Sequence, residues 1–171
     1  MDIALIVVEA LKFIFPAYCA NGTPVLAGGG KRMDFGKNFV DGKRIFGNNK
    51  TFRGFFFGWG VGIGVGLIEG LIFGFKNYPV LFALIIPLGA LLGDLTGAFI
   101  KRRLSIAPGG LLPIVDQIDF VVGAVVFSLP LALIGWRTAW EIAVTVLLIT
   151  PPIHLFTNFL AYKMKLKKHP W

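Results

Sequence analysis

Residues Val80 to Arg103 give the clearest indication of the fold and read VLFALIIPLGALLGDLTGAFIKRR. Up to Ile100 its only charged side chain is Asp94. Because about 20 apolar residues suffice for a helix to cross a bilayer, this stretch predicts a transmembrane helix. The Lys-Arg-Arg run that closes it marks a membrane surface. Asp94 precedes Lys101 by seven residues and is therefore expected about 10 Å inside that surface.

The whole chain is also unusually apolar. It has 171 residues, of which 56% are hydrophobic and 15% charged, whereas soluble domains are about 45–50% apolar and about 25% charged. This composition argues against a soluble globular protein and rules out a disordered one. We predict an all-α, polytopic membrane protein with one membrane-embedded domain over residues 1–171 and five transmembrane helices. The predicted helices span about 3–25, 54–75, 80–100, 118–136 and 139–162.

The basic residues predict how these helices are oriented. Fourteen of the seventeen lie in three segments, the loops 27–53 and 101–115 and the tail 163–171. Five crossings put all three segments on one side, which the positive-inside rule identifies as the cytoplasm. The N-terminus is then outside and the C-terminus cytoplasmic. The alternative is a cleaved signal peptide at Met1–Ala20. It is disfavoured because a signal peptide starts with a positively charged region, whereas this segment has Asp2 and no basic residue at its start.

Three aspartates are candidates for chemistry. Carboxylates are costly inside a membrane, so Asp94 is a functional candidate, while Asp116 and Asp119 share a face at the entrance of the fourth helix. Together they predict a site for a hard cation such as Mg²⁺, which prefers carboxylates, water and phosphates. Two structural alternatives stay open. In one, Asp94 pairs with Lys101 or Arg102; in the other, Asp116 and Asp119 only favour a helix N-terminus.

The loop 27–53 predicts a binding surface for phosphates. It combines Gly28–Gly30, which permit close backbone approach, with seven lysines and arginines. A Walker motif is excluded because Asn49 stands where its glycine would precede Lys50 and Thr51. A formal net charge of +8 also favours anionic partners such as membrane lipids. Nucleic acid is not an expected partner, since the basic residues flank apolar spans.

Two further features are structural. Glycines recur every four residues in the second span and predict close helix packing with the third; they are Gly54, Gly58, Gly62, Gly66, Gly70 and Gly74. Cys19 is the only cysteine, which excludes an intrachain disulfide and a cysteine-based metal site.

Several motifs together resemble the CDP-archaeol synthase family, the archaeal relatives of phosphatidate cytidylyltransferases. They are Asn21–Val25, Gly93–Arg103, Pro113–Asp119 and the loop Asp34–Gly54, in which the family's DG…R…G…KTWRG signature corresponds to Asp41, Gly42, Arg44, Gly47, Lys50, Thr51, Arg53 and Gly54. Phe52 stands in place of the family's usual Trp. Gln117 stands in place of the Arg in the D-R-x-D pattern of the broader superfamily, so the archaeal branch fits best.

The resemblance implies a membrane enzyme with its active site facing the cytoplasm. The family transfers CMP from CTP to 2,3-di-O-geranylgeranylglyceryl phosphate, an isoprenoid-ether lipid phosphate, and releases pyrophosphate. Resemblance and residues together assign Mg²⁺ to Asp94, Asp116 and Asp119, which act in catalysis with Lys101. The residues assigned to CTP and phosphate binding are Asn21, Lys43, Arg44, Asn48, Lys50, Thr51, Arg53, Gly54, Lys101 and Arg102.

Two other functions remain open at this point. A CDP-alcohol phosphotransferase also uses aspartates at the membrane edge, but its DGxxAR…GxxxDxxxD signature is absent. A small anion transporter would be expected to carry an internal repeat, and none is visible. The sequence predicts neither the oligomeric state nor the number of metal ions.

Overall fold

The computed structural model describes residues 2–27, 29–134 and 140–166. Over these residues the protein is all-helical and has no β-strand. The helices are α1 (Ile3–Gly22), α2 (Phe52–Phe73), α3 (Val80–Arg103), α4 (Val115–Ser128) and α5 (Trp140–Lys163), and short 3₁₀ helices follow α1 (Thr23–Val25) and α4 (Leu129–Ile134). Gly28, residues 135–136 and 139 of the predicted spans, and Lys167 and Lys168 of the tail lie outside the described residues.

Four of these helices are long and apolar enough to cross a membrane, counting α1 with its 3₁₀ extension. They are Ile3–Val25, Phe52–Phe73, Val80–Arg103 and Trp140–Lys163, and each overlaps a predicted span. Helix α4 has only 14 residues. The predicted helix over 118–136 therefore differs from the structure, in which α4 starts at Val115 and gives way to a 3₁₀ helix at Leu129. Pro130 contributes to this change because a proline has no N–H to donate within an α-helix.

Two other helix boundaries differ from the predicted ones for local reasons. Helix α2 starts at Phe52, before the predicted residue 54, because the Thr51 hydroxyl accepts a hydrogen bond of 3.2 Å from the Gly54 N–H and caps the helix. Helix α3 continues through Arg103, so the predicted loop 101–115 shortens to residues 104–114. Lys101 and Arg102 are consequently helical residues with fixed directions.

Glycines bring the helices together. A Cβ on Gly93 would overlap the Asp119 carbonyl oxygen, and one on Gly123 would overlap the Gly89 carbonyl oxygen, so α3 and α4 meet backbone to backbone. The glycine stripe of α2 does pack against α3, as predicted: a Cβ on Gly62 would lie 2.5 Å from Pro87 Cβ. The same stripe also meets α1, since a Cβ on Gly58 would lie 2.5 Å from the Ala20 carbonyl oxygen.

Apolar side chains of all the helices but α2 fill the core. Helix α5 packs against α1 and α4. The buried residues of this core include Phe13, Ile14, Phe82, Ile86, Phe120, Val121 and Val146. Helix α2 supplies mainly glycines to its contacts, which is why it can lie so close to its neighbours.

Residues 29–51, which we call the basic loop, connect α1 to α2 across one end of the bundle. Arg32 and Thr51 form an isolated antiparallel bridge at the base of the loop, and Asn38 and Arg44 form another around a hairpin with its tip at Phe39–Gly42. The loop lies beside the start of α2, the end of α3 and the start of α4. We call this end of the bundle the basic end.

Candidate functional site

Lys50 and Asp94 form the contact that joins the basic loop to the interior of the bundle. The Lys50 Nζ donates to both carboxylate oxygens of Asp94, at 2.7 and 2.5 Å. About a quarter of each side chain remains exposed. Lys50 immediately precedes Thr51, which ends the basic loop and caps α2, so the start of α2 sets how far the ammonium group reaches. An ion pair of two partly accessible groups can exchange partners when a ligand arrives.

Lys101 and Asp116 form a second ion pair at the same end. The Lys101 Nζ donates to Asp116 Oδ2 at 2.8 Å, and the Leu112 N–H donates to the same oxygen at 3.1 Å. Asp116 lies in the first turn of α4, where a negative charge is favoured by the helix dipole. This pair ties the end of α3 to the start of α4.

Asp119 lies between these two pairs. Its carboxylate faces α3, because a Cβ on Gly97 would overlap Asp119 Oδ2, and Gly97 is one helical turn beyond Asp94. Asp119 interacts electrostatically with Asp94, Asp116 and Lys50. The glycine thus makes room for a third carboxylate on the face of α3 that carries Asp94. The structure therefore brings together five of the residues predicted for the site: Lys50, Asp94, Lys101, Asp116 and Asp119.

Arg102 adds a buried positive charge next to this group. Only 7% of the residue is exposed, and its Nη2 donates to the Ala107 carbonyl at 3.3 Å. Its Nε and Nη1 atoms are buried and have no hydrogen-bond partner among the described residues. A buried guanidinium with free donors is costly unless an anion meets it. Arg53, in contrast, is exposed in the first turn of α2.

The other predicted phosphate ligands make contacts within the protein. Lys43 donates to the Arg103 carbonyl at 2.7 Å and to the Ser105 hydroxyl at 2.8 Å, where it satisfies the end of α3. Arg44 donates to Asn48 Oδ1 at 2.9 Å. Three further residues are placed by their helices: Thr51 caps α2, Gly54 packs against Pro24, and Asn21 lies in the last turn of α1.

Asp34 organises the basic loop, and it was not among the predicted site residues. It is 3% exposed and pairs with Arg44 at 2.7 Å. Its carboxylate also accepts hydrogen bonds from the N–H groups of Gly36, Phe46 and Gly47. Burial alone would raise the pKa of Asp34, but the Arg44 guanidinium and these N–H groups outweigh burial and hold the pKa well below its usual range.

Arg103 fastens the hairpin of the loop to α3, and it was also missed. Its guanidinium lies 5.0 Å from the centre of the Phe39 ring and 4.6 Å from that of Phe99. Its Nε is 2.9 Å from Asp41 Oδ2, and its Nη2 donates to the Arg44 carbonyl at 2.6 Å. Phe99 precedes Arg103 by four residues, a spacing that places two side chains on one face of a helix, and this is the sequence signal that could have suggested part of this contact.

A divalent cation fits this end of the bundle by the chemistry of its donors. The side chains as they stand form no group of three histidines, cysteines, aspartates or glutamates arranged to hold a metal ion, within the part of the chain that the structure describes. The lysines occupy Asp94 and Asp116 instead. Mg²⁺ needs only one or two carboxylates when water and substrate phosphates complete its shell. Asp94 and Asp119 suit that smaller requirement, because the Asp119 carboxylate of α4 lies against Gly97, one turn from Asp94 on the same face of α3.

By its fold and its site, the chain is an all-helical membrane protein whose acidic and basic side chains meet at one end of the bundle. The CarS-like family model, described as CDP-archaeol synthase, matches residues 3–171. The chain belongs to the CDP-archaeol synthase family.

Relatives and a solved structure agree with this membership. The chain is 45% identical to the CDP-archaeol synthase of Pyrococcus furiosus, covering 96% of this chain and 98% of that one. It is 41% identical to that of Methanococcus aeolicus over the whole of both chains. A solved structure of an intramembrane enzyme for archaeal membrane lipids biosynthesis is 37% identical, with a TM-score of 0.79 over 89% of this chain and 94% of that one.

Proposed function

We propose that this protein transfers the cytidylyl group of CTP to the phosphate of 2,3-di-O-geranylgeranylglyceryl phosphate, giving the CDP-activated lipid and pyrophosphate. The observation that carries this proposal is the similarity to CDP-archaeol synthases along the whole chain. The meeting of Lys50, Asp94, Lys101, Asp116 and Asp119 at one end of a helical bundle supports it.

The reaction needs charge compensation more than it needs a base. An oxygen of the lipid phosphate attacks the α-phosphorus of CTP, and the bond from that phosphorus to the bridging oxygen of the β-phosphate breaks. The attacking oxygen is already anionic, so the chief obstacle is repulsion between two polyanions. Lysine and arginine side chains reduce this repulsion by holding the phosphates in line.

Each residue of the cluster receives a role on this basis. Lys50 and Lys101 exchange their carboxylate partners for phosphate oxygens, since an ammonium group is a mobile point charge. Arg102 offers its unpartnered Nε and Nη1 to phosphate, and Arg53 contributes charge at the mouth of the site. Lys43, Arg44, Asn48, Thr51 and Gly54 shape the loop that presents these groups, and Asn21 borders the site from α1.

Mg²⁺ would be held by Asp94 and Asp119, with Asp116 as the third candidate ligand. A bound magnesium ion would neutralise charge on the phosphates and on the departing pyrophosphate. The carboxylates would lose their lysine partners at that point, which releases the two ammonium groups for the substrates.

The arrangement in the membrane follows from the charges. We place the basic end at the cytoplasmic surface, because it carries most of the lysines and arginines and CTP is cytoplasmic. All five helices then cross or enter the bilayer, with the N-terminus outside and the C-terminus inside. The lipid phosphate arrives from within the membrane, next to a site on the inner ends of α3 and α4.

The test is CTP-dependent formation of a CDP-lipid by the purified protein, with and without Mg²⁺. Asp94→Ala and Asp119→Ala should each reduce turnover at least about 100-fold, as expected for loss of a charge-stabilising group. Asp2→Asn, an exposed aspartate at the start of α1, is the matched control and should keep normal turnover.

The outcomes separate the parts of the proposal. Normal turnover of both alanine variants would overturn the metal assignment while leaving the reaction intact. No product with any of the four nucleoside triphosphates and either archaeal or bacterial lipid phosphates would overturn the reaction itself.

A further inference from the structure

The hairpin tip of the basic loop carries an apolar residue in an unusual position. Val40 is 94% exposed, and the residues on both sides of it are fastened to α3. Phe39 packs edge-on against Phe99, with ring centres 5.2 Å apart. Asp41 pairs with Arg103 at 2.9 Å. Val40 is therefore held outward by fixed neighbours on both sides.

The hairpin rests on the outward-facing stripe of α3. Thr96 and Ile100 are exposed on that stripe, and Leu104 just beyond α3 is 57% exposed. Phe99 belongs to the same stripe and lies about 6 Å from Arg103 along the helix axis. Because α3 is a candidate membrane span, Phe39 reaches down to a level at which the neighbouring α3 residues face lipid.

Charge and ring chemistry at this end suit a lipid surface. Arg103 lies against both the Phe39 and the Phe99 rings, and Lys31 lies 4.8 Å from the centre of the Phe35 ring. Phe35 is itself 57% exposed. Aromatic rings beside lysine and arginine are typical of the boundary between headgroups and acyl chains, where the cations also meet anionic headgroups.

We propose that the Phe39–Gly42 tip inserts into the bilayer at the basic end and anchors the basic loop to the membrane. The exposed Val40 side chain lies among the upper acyl carbons, and Arg103 lies at headgroup level. The loop is then held at two points, at its hairpin tip by this anchor and near its C-terminal end by the Lys50–Asp94 pair. The proposal concerns a lipid surface and does not depend on the identity of the reaction.

The experiment measures the depth of the tip in vesicles. Val40→Cys in a Cys19→Ser background carries a fluorescent label in vesicles of phosphatidylcholine and phosphatidylglycerol that include lipids with a doxyl quencher. Lys37→Cys is the matched control, because Lys37 is exposed in the same loop but lies before the hairpin tip. We expect lipid-borne doxyl to quench the label at residue 40 several-fold more than the label at residue 37.

A second measurement uses unlabelled cysteine variants, so that a perturbing dye does not decide the result. A water-soluble maleimide should react with Val40→Cys several-fold more slowly in vesicles than in detergent, while Lys37→Cys reacts alike in both. Equal quenching at the two positions together with equal reaction rates would overturn the proposal. A disulfide-linked dimer through Val40→Cys in vesicles would also overturn it, since a second copy would then cover the tip.

Discussion

Asp34 is a single acidic side chain on which the shape of the basic loop depends. Its pKa is held below the ordinary range by Arg44 and three backbone N–H groups. A group with a lowered pKa in the folded state contributes stability at pH values above its unfolded pKa of about 4. This contribution is lost progressively as the pH falls from that value towards the lower pKa of folded Asp34. The loop should therefore loosen under acid conditions.

Replacing Asp34 should destabilise the protein more than replacing Asp41. Asp34→Ala leaves the Nε and Nη2 groups of Arg44 and three backbone N–H groups without their acceptor, and we expect a loss of about 2–3 kcal/mol. Asp34→Asn should cost less because one oxygen remains. Asp41→Ala, which removes a more exposed partner, should cost about 1 kcal/mol or less. Thermal unfolding in detergent at pH 7 measures all three, and equal losses for Asp34→Ala and Asp41→Ala would contradict the role given to Asp34.

Lys50 should matter chiefly for the binding of CTP. Lys50→Met keeps the length of the side chain but removes the charge offered to phosphate. We expect the KM for CTP to rise about tenfold or more, since a hydrogen bond to a charged group contributes about 1.5–3 kcal/mol. Lys37→Met, which removes an exposed charge from the same loop, should leave the KM unchanged. A steady-state titration of CTP at saturating lipid measures the KM of both variants.

The sequence contained part of this residue-level information. Asp94 is a candidate because carboxylates in apolar segments are rare, and Asp116 and Asp119 are candidates because they share a helix face. The structure does bring the three to one end of the bundle. Asp34 was overlooked because it stands in a polar loop, where an aspartate needs no explanation. Its local signal was Asp34-Phe35-Gly36: an aspartate two residues before a glycine with positive φ favours an Asx turn. The structural alternative for Asp94 names Lys101 or Arg102 as its partner, but in the structure the partner is Lys50, which only the folded loop could reveal.

At the scale of elements, the two faces of α2 should respond differently to an added methyl group. Gly62→Ala places a Cβ 2.5 Å from Pro87 and 2.9 Å from the Ala20 Cβ. The overpacking should cost about 1–3 kcal/mol. Gly64→Ala adds its Cβ to open space and should be neutral or slightly stabilising, because alanine favours a helix by up to about 1 kcal/mol. Thermal unfolding of the pair tests the packing, and comparable melting temperatures would contradict it.

Element positions were predictable to different degrees. Four spans could be located within a few residues because long apolar runs dominate their sequences. The fourth helix was less predictable. Its apolar run continues past Ser128, so hydropathy alone does not show that the α-helix gives way to a 3₁₀ helix before Pro130. Its start at Val115 depends on Asp116, which accepts hydrogen bonds from Lys101 and Leu112 and is a tertiary feature.

For the whole molecule, the distribution of charge predicts a topology that labelling can test. In a Cys19→Ser background, Lys37→Cys and Lys163→Cys should react with an impermeant maleimide from the same side of the membrane. Lys76→Cys, in the connection between α2 and α3, should react from the opposite side. Right-side-out cells and inverted vesicles supply the two sides, and permeabilised membranes provide the control. Reaction of residues 37 and 163 from opposite sides would exclude an odd number of crossings.

The two lysine–aspartate pairs have a consequence for how the chain enters the membrane during its synthesis. Chains are made from the N-terminus, so Lys50 leaves the ribosome before Asp94, and Lys101 before Asp116. Asp94 and Asp116 therefore each reach the bilayer after the lysine with which they pair has been synthesised. The reverse order would leave a lone carboxylate among lipid tails. The order of these charges along the chain thus lowers the cost of inserting the two aspartates into the membrane.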